Sequence, residues 1–317
     1  MNPDVEAVVA TVLDDCVGVS PGERMLVVTD PKKRLVAEWF VAGGRRRGTD
    51  TVMVEMSERS THGAEPPDAV AAAMLACDVV LAPTSKSISH TEARRLASAR
   101  GVRCASMPDV TEDMLVRTMR ADYRVIRRRS GALARALSEG QEVRITSSGG
   151  TDLVLDIRGR TGIVDGGDLR APGAFGNLPA GEGFVAPVEG ATNGRVVFDG
   201  SIGSFGLLEK PLVVEMEAGY ARSFSGPRAD EIWALLESHG RDAFAVAELG
   251  IGTNEAARVT GNVLEDEKVL GTIHVALGDN HAFGGVIRVA SHQDGVVRRP
   301  TLSIDSQIVV RDGELLA

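Results

Sequence analysis

The chain has 317 residues, of which 43% are hydrophobic and 25% charged, with a formal net charge of −9. This composition supports packed cores and excludes a disordered or fibrous chain. The acidic balance disfavours nucleic acid as a partner, because a phosphate backbone is held chiefly by excess Lys and Arg. No stretch approaches the roughly 18 uninterrupted apolar residues of a membrane span, and the start MNPDVEAVVATVLDDC lacks a basic leader before a long apolar run. No membrane partner and a cytoplasmic location are therefore expected.

The length suits two domains of ordinary size. From the start to about residue 120, amphipathic stretches alternate with short apolar runs. DVEAVVATVLDDC, KKRLVAEWFVAGGRRR, PPDAVAAAMLA and HTEARRLASAR read as helices, and RMLVVTD, DTVMVEM, CDVVLAPT and VRCASMP as strands. Continuous apolar strands separated by helices predict an α/β domain with a doubly wound, mostly parallel sheet. Its strand-end loops, VVTDPKK and LAPTSKSISH, carry neither GxGxxG nor GxxxxGK[ST], so no nucleotide site is expected there. His62 and His90 on the same rim read as surface residues, and the triplets Arg45–Arg47 and Arg127–Arg129 as solvated helix faces or ends. Cys16, Cys77 and Cys104 are spaced neither as a disulfide framework nor as a thiolate metal site.

DYRVIRRRSGALARALSEG reads as a linking helix ending at Gly140, and after it the texture changes to short strands between Gly-rich turns, such as EVRITSS, DLVLDIRG, RVVFDGSIG and LVVEMEAG. The expected division is 1–138 for the α/β domain and 139–317 for an α+β, largely antiparallel domain that carries the metal chemistry. RADEIWALLESHG and EDEKVLG read as its helices.

Half of the six histidines, His274, His281 and His292, fall in GTIHVALGDNHAFGGVIRVASHQDG. His292 and Asp294, two apart, project from one face if the segment is a strand, and make a short chelating pair. His274 lies in the apolar run TIHVAL, where a buried imidazole needs a hydrogen-bond partner or a metal. Glu182 in NLPAGEGFVAP and Glu248 in VAELGIGTN are flanked by apolar residues and glycine, and a buried carboxylate needs a cation. Imidazole and carboxylate together suit zinc, cobalt, manganese or non-haem iron. No G-x-S-x-G elbow is present, and Ser201 and Ser204 in DGSIGSFG read as turn residues.

Taken together, NLPAGEGFVAP, AELGIGTN, DEKVLGTIHVALGDN and SHQDGVVRRPTL resemble the signature blocks of the thermophilic-type metallo-aminopeptidases, the aminopeptidase T and aminopeptidase S family. The blocks run in the family's order over about residues 177–302. The resemblance implies two divalent ions (zinc, cobalt or manganese) held by Glu182, Glu248, His274, His292 and Asp294, and a homodimer. The family's sixth ligand is a tyrosine at the position of His281, which would then serve as ligand or oxyanion stabiliser. On this reading a water between two ions about 3.5 to 4 Å apart attacks the N-terminal amide of a small peptide or related amide. Glu182 or Glu248 orients that water and moves its proton, and Asp279 and Asn280 in GDN serve as outer-sphere or turn residues.

A second branch, the 2,5-dihydroxypyridine dioxygenases, is closer in length and resembles the chain at the His292–Asp294 pair. Its members hold one non-haem iron(II) and cleave an aromatic ring. They carry a histidine where Glu248 stands and lack the glutamate at Glu182. Retention of both glutamates makes the dinuclear hydrolase the expectation, the mononuclear dioxygenase the alternative, and a non-catalytic metal- or ligand-binding protein on the same scaffold the third possibility.

Overall fold

The computed structural model describes residues 2–316, which divide into two compact units. The described residues up to 123 and those of 167–180 form the first; those of 124–166 and from 181 onward form the second.

In the first unit, α1 (Pro3–Ala10) continues as a π-helical stretch over Thr11–Cys16, and α2 (Arg34–Arg46), α3 (Asp68–Leu75), α4 (Glu92–Ala99) and α5 (Glu112–Thr118) alternate with four strands. These are β1 (Arg24–Thr29), β2 (Asp50–Glu55), β3 (Val79–Thr84) and β4 (Arg103–Pro108). Helix starts lie where a side chain satisfies an otherwise unpaired N–H: Thr91 accepts from Arg94 N at 3.2 Å and Thr111 from Met114 N at 3.1 Å. All pairings in the sheet are parallel, in the order β2-β1-β3-β4 followed by a fifth strand at Phe175–Asn177. β3 is buried along its whole length, as expected of a strand covered on both faces. The doubly wound, mostly parallel domain expected from the sequence is thus present.

α6 (Tyr123–Glu139) leads into the second unit. The contacts divide the chain at its N-terminal end, whereas the boundary expected at 138/139 lies at its C-terminal end. β5 (Glu142–Ser147), β6 (Asp152–Asp156) and β7 (Ile163–Asp165) follow, and β8 (Phe175–Asn177) then adds a fifth strand to the first unit's sheet. The rest of the chain belongs to the second unit. It contains β9 (Glu182–Val185), β10 (Asn193–Phe198), β11 (Ser201–Ile202), β12 (Gly206–Leu207), β13 (Leu212–Glu217), β14 (Tyr220–Ser225) and α7 (Ala229–His239). It continues with β15 (Val246–Gly252), α8 (Val263–Asp266), β16 (Ile273–Gly278), β17 (His292–Val297), β18 (Pro300–Ile304), β19 (Gln307–Arg311) and β20 (Glu314–Leu315).

Two antiparallel sheets organise this unit, an eight-stranded one (β14-β13-β10-β6-β5-β18-β19-β20) and a seven-stranded one (β12-β11-β17-β16-β15-β9-β7). Their shared core joins Val143, Leu153, Val196 and Val214 of the first to Val185, Leu249, Ile251, Ile273, Val275, Leu277 and Val297 of the second. Leu133 and Leu137 of α6 and Ile232 and Leu236 of α7 complete it. The expected α+β, largely antiparallel second domain is present. EDEKVLG, expected to be helical, forms only the end of α8, which stops at Asp266. The two acids before that point are consumed locally. Glu265 accepts from Arg258 N at 2.8 Å, and Asp266 accepts from Thr260 N at 2.6 Å and Gly261 N at 2.8 Å. Among the described residues no helix is long and apolar enough to cross a membrane.

Candidate metal centre

The seven-stranded sheet turns one face to the core and gathers donors on the other. Directly opposed residues of an antiparallel pair share a face. Glu182 opposes Gly252, His274 opposes Gly250, Glu248 opposes Ala276, and Ala276 opposes Asp294. Glu182, Glu248, His274, His292 and Asp294 therefore lie on one face of four adjacent strands, and the intervening apolar residues point into the core. A β-bulge between Val246 and Glu248 sets this up. The two residues are two apart yet face opposite ways, Val246 to the core and Glu248 to the donor face.

Small residues make the room. A Cβ on Gly250 would come within 2.1 Å of the His274 ring, so the imidazole lies across bare backbone. A Cβ on Gly252 would come within 2.0 Å of Val269 O, so that glycine admits the backbone that delivers Lys268. Gly278 and Ala276 keep the middle of the face equally shallow.

Two groups of donors result, each with its atoms within 4.8 Å of one another: Glu248, His292 and Asp294, and Glu182, Glu267 and His274. His274 Nε2 lies 3.2 Å from Glu248 Oε1 and 3.1 Å from Glu182 Oε2, linking the groups. His292 Nε2 lies 3.4 Å from Asp294 Oδ1 and 3.5 Å from Glu248 Oε2. Its Nδ1 lies 2.8 Å from the carbonyl oxygen of Asp279. A carbonyl only accepts, so Nδ1 carries the proton, and the Nε2 of a neutral ring presents its lone pair to the carboxylates.

The electrostatics call for cations. Burial disfavours an imidazolium at His274, yet Glu182 and Glu248 outweigh it and hold its pKa well above the ordinary range. Burial likewise acts against a charged His292, and Asp294 with Glu248 overcomes it. Burial raises Glu248, but hydrogen bonds and charge from the two imidazoles bring it down to about 2. Burial pushes the Glu267 carboxyl up to about 8 and that of Asp165 up to about 6, against the pull of Lys268. Buried oxygens of Glu182 (Oε2) and Asp294 (Oδ1) have no hydrogen-bond partner.

Sequence reasoning missed three residues of this centre. Lys268, 1% exposed, places Nζ 2.5 Å from Glu182 Oε1, 2.9 Å from Glu267 Oε1 and 3.0 Å from Asp165 Oδ2. The available signal was the carboxylate run EDEK immediately before an apolar strand, too close to the core for a solvated face. His281 stands apart from both groups. It opens a 3-10 turn (His281–Phe283) and is exposed. The loop after it is tied down by Glu189, which accepts from Asn280 Nδ2 at 3.0 Å and Val286 N at 2.8 Å and also pairs with Arg160. Phe283 stacks edge-on against Phe184 (centroids 5.6 Å apart) and His292 (5.9 Å), forming a half-buried aromatic wall beside the donors. His62, in the first unit, accepts from Ser87 N at 3.2 Å.

Solved structures similar to this chain include 2,5-dihydroxypyridine dioxygenase from Pseudomonas putida KT2440, with a TM-score of 0.85 and 17% identity over 99% of this chain and 97% of that one. AmpT from Thermus thermophilus gives 0.73 and 13% over 99% of each. At these identities the likeness establishes the fold, which proteins of different names share. No curated protein matches the chain. The family model for NicX, 2,5-dihydroxypyridine 5,6-dioxygenase, matches residues 4–317.

That match overturns the metallo-aminopeptidase membership, the hydrolytic dinuclear function and the peptide or amide substrate expected above. The misleading blocks spell β9, β15, β16 and β17, the sheet itself, and the buried Glu182 is paired with the ammonium of Lys268. The chain is thus an enzyme with the donors for a metal, and its near-complete correspondence to the family model means that it belongs to the NicX, 2,5-dihydroxypyridine 5,6-dioxygenase, family.

Proposed function

We propose that the chain is an iron(II)-dependent dioxygenase that opens the ring of a small dihydroxylated aromatic of the 2,5-dihydroxypyridine kind. The observation that carries this is the convergence of His274, His292, Glu248 and Asp294, with His292 fixed through Asp279 so that Nε2 faces the two carboxylates. Two imidazoles with carboxylate suit non-haem iron, and the donor atoms fit an ion there because the buried Asp294 Oδ1 otherwise has no hydrogen-bond partner. The same donors accept zinc, cobalt or manganese; the family's ring-cleaving chemistry selects iron. Bound iron(II) would supply the one-electron chemistry that makes dioxygen reactive towards an aromatic ring.

The chain's own residues do the rest. The Asp279 carbonyl holds the His292 ring in one tautomer and orientation. Gly250 leaves His274 its place, and the bulge aims Glu248 across the sheet. Phe184 and Phe283 offer an apolar face on which a flat ring packs. Glu248 stands where the resemblance places a histidine, so the centre carries a second anion, and substrate range is part of the test.

Protein purified without oxygen and loaded with iron(II) is expected to consume oxygen with 2,5-dihydroxypyridine or a related dihydroxylated aromatic such as 2,5-dihydroxybenzoate. The ring-opened product should carry both atoms of labelled dioxygen. Absence of uptake across such a panel by fully loaded protein, or equal turnover without iron, overturns the proposal.

A further inference from the structure

The second donor group is already supplied with a cation by the chain itself. Lys268 has three N–H donors, and three carboxylates, those of Asp165, Glu182 and Glu267, lie within 3.0 Å of its Nζ. The ammonium is saturated and almost completely buried. Its backbone is anchored on both sides: Lys268 N donates to Glu265 O at 2.9 Å, and Lys268 O accepts from Asn254 N at 2.9 Å. Gly252 admits the chain beside it, where a Cβ would lie 2.8 Å from the Lys268 carbonyl carbon. Glu182 bridges the two halves, with Oε1 on the ammonium and Oε2 3.1 Å from His274 Nε2. This is the placement of a carboxylate shared between two cations.

We propose that Lys268 is a built-in cation that takes the place of a second metal ion. The chain therefore holds one ion, at Glu248, His274, His292 and Asp294, while the Glu182–Glu267–His274 group is closed to metal by the ammonium's repulsion and by its hold on Glu182 Oε1 and Glu267 Oε1. The proposal rests on the metal-binding part of the function proposed above and is independent of ring cleavage.

Zinc(II) titrated into metal-free protein, with bound metal counted by mass spectrometry and heat by calorimetry, tests it. The wild-type chain is expected to saturate at one ion, Lys268→Met at two, and Lys268→Met/Glu267→Gln at one again. A wild-type chain that takes two ions with comparable affinity overturns the proposal, as does a folded Lys268→Met that still takes one. If Lys268→Met does not fold, Glu267→Gln decides in an otherwise native chain. Retention of the single ion supports the proposal, and its loss, which would mean that the ion sits in the Glu182 group, overturns it. A wild-type chain that binds no ion overturns this proposal and the iron-dependent function together. Counts of one, two and one without oxygen uptake leave Lys268 in its role and remove only the ring-cleaving chemistry.

Discussion

The parallel sheet of the first unit and the seven-stranded sheet of the second are both buried, but for different reasons. β1 and β3 are apolar and covered on both faces, so almost every side chain contributes to packing. In β15, β16 and β17 alternate residues pack in the core; of the others, all but the buried Val296 are donors or small enough to make way for donors. The central strands of one sheet spend nearly all their positions on cohesion, and the other sheet divides its positions by parity on either side of the bulge before Glu248. A substitution in the first sheet should therefore be felt as stability, and one on the donor face of the second as metal binding.

The largest expected effect is at Gly250. Gly250→Val places atoms where the His274 ring lies, and the variant should lose essentially all high-affinity metal, read as bound iron or zinc per chain. Native metal content in a folded Gly250→Val chain would show that His274 is not a ligand. The converse is Leu26→Ala in β1, which removes a fully buried side chain from the first unit. It should cost about 2–5 kcal/mol in denaturant unfolding while the folded protein keeps its metal. A loss of metal without a loss of stability would break the division between the sheets.

Phe283→Ala sharpens the contrast within the site, because this ring touches Phe184 and His292 without offering a donor. Loss of an aromatic contact of about 0.5–1.5 kcal/mol should raise KM for the ring substrate by up to about tenfold, with metal content unchanged. The smallest effect is at Asp78, whose carboxyl is held at about 2 by hydrogen bonds from Arg24. A depressed carboxylate stabilises the fold above its unfolded value of about 3.9, and that contribution fades as pH falls towards 2. The pair is solvent-exposed and so contributes weakly. Arg24→Ala should lower Tm slightly at pH 6 and converge with wild type near pH 2.

Most of both sheets was legible because their patterning is local. RMLVVTD, DTVMVEM, CDVVLAPT and VRCASMP became β1 to β4, whereas β8 was missed because three residues, returning after a long excursion, carry no periodic signal. Five donors were legible from residue type: His292 and Asp294 by their spacing, His274 by its apolar surroundings, Glu182 and Glu248 by their lack of charged neighbours. Lys268, Glu267 and Asp165 were not, because their meaning depends on β7 pairing with β9 and on the chain passing over Gly252. Alternation read forward from Glu248 gives the right faces, and read backward to Val246 gives the wrong one, since the bulge lies between them. The identity of the enzyme was the least legible part, because the blocks that resemble a peptidase describe a scaffold rather than a reaction.

The shallow middle of the donor face has a mechanical consequence. Gly250, Ala276 and Gly278 give β15 and β16 little apolar packing across the strands on that side, so beyond the backbone ladder and the His274–Glu248 contact it is the core side that holds them together. An ion gripped by Glu248, His274, His292 and Asp294 would tie three neighbouring strands at the spot where apolar packing does not. Metal would then act as a rivet as well as a reagent: amide protons of β15 to β17 would exchange more slowly in the loaded protein, and those of the parallel sheet would be indifferent to it.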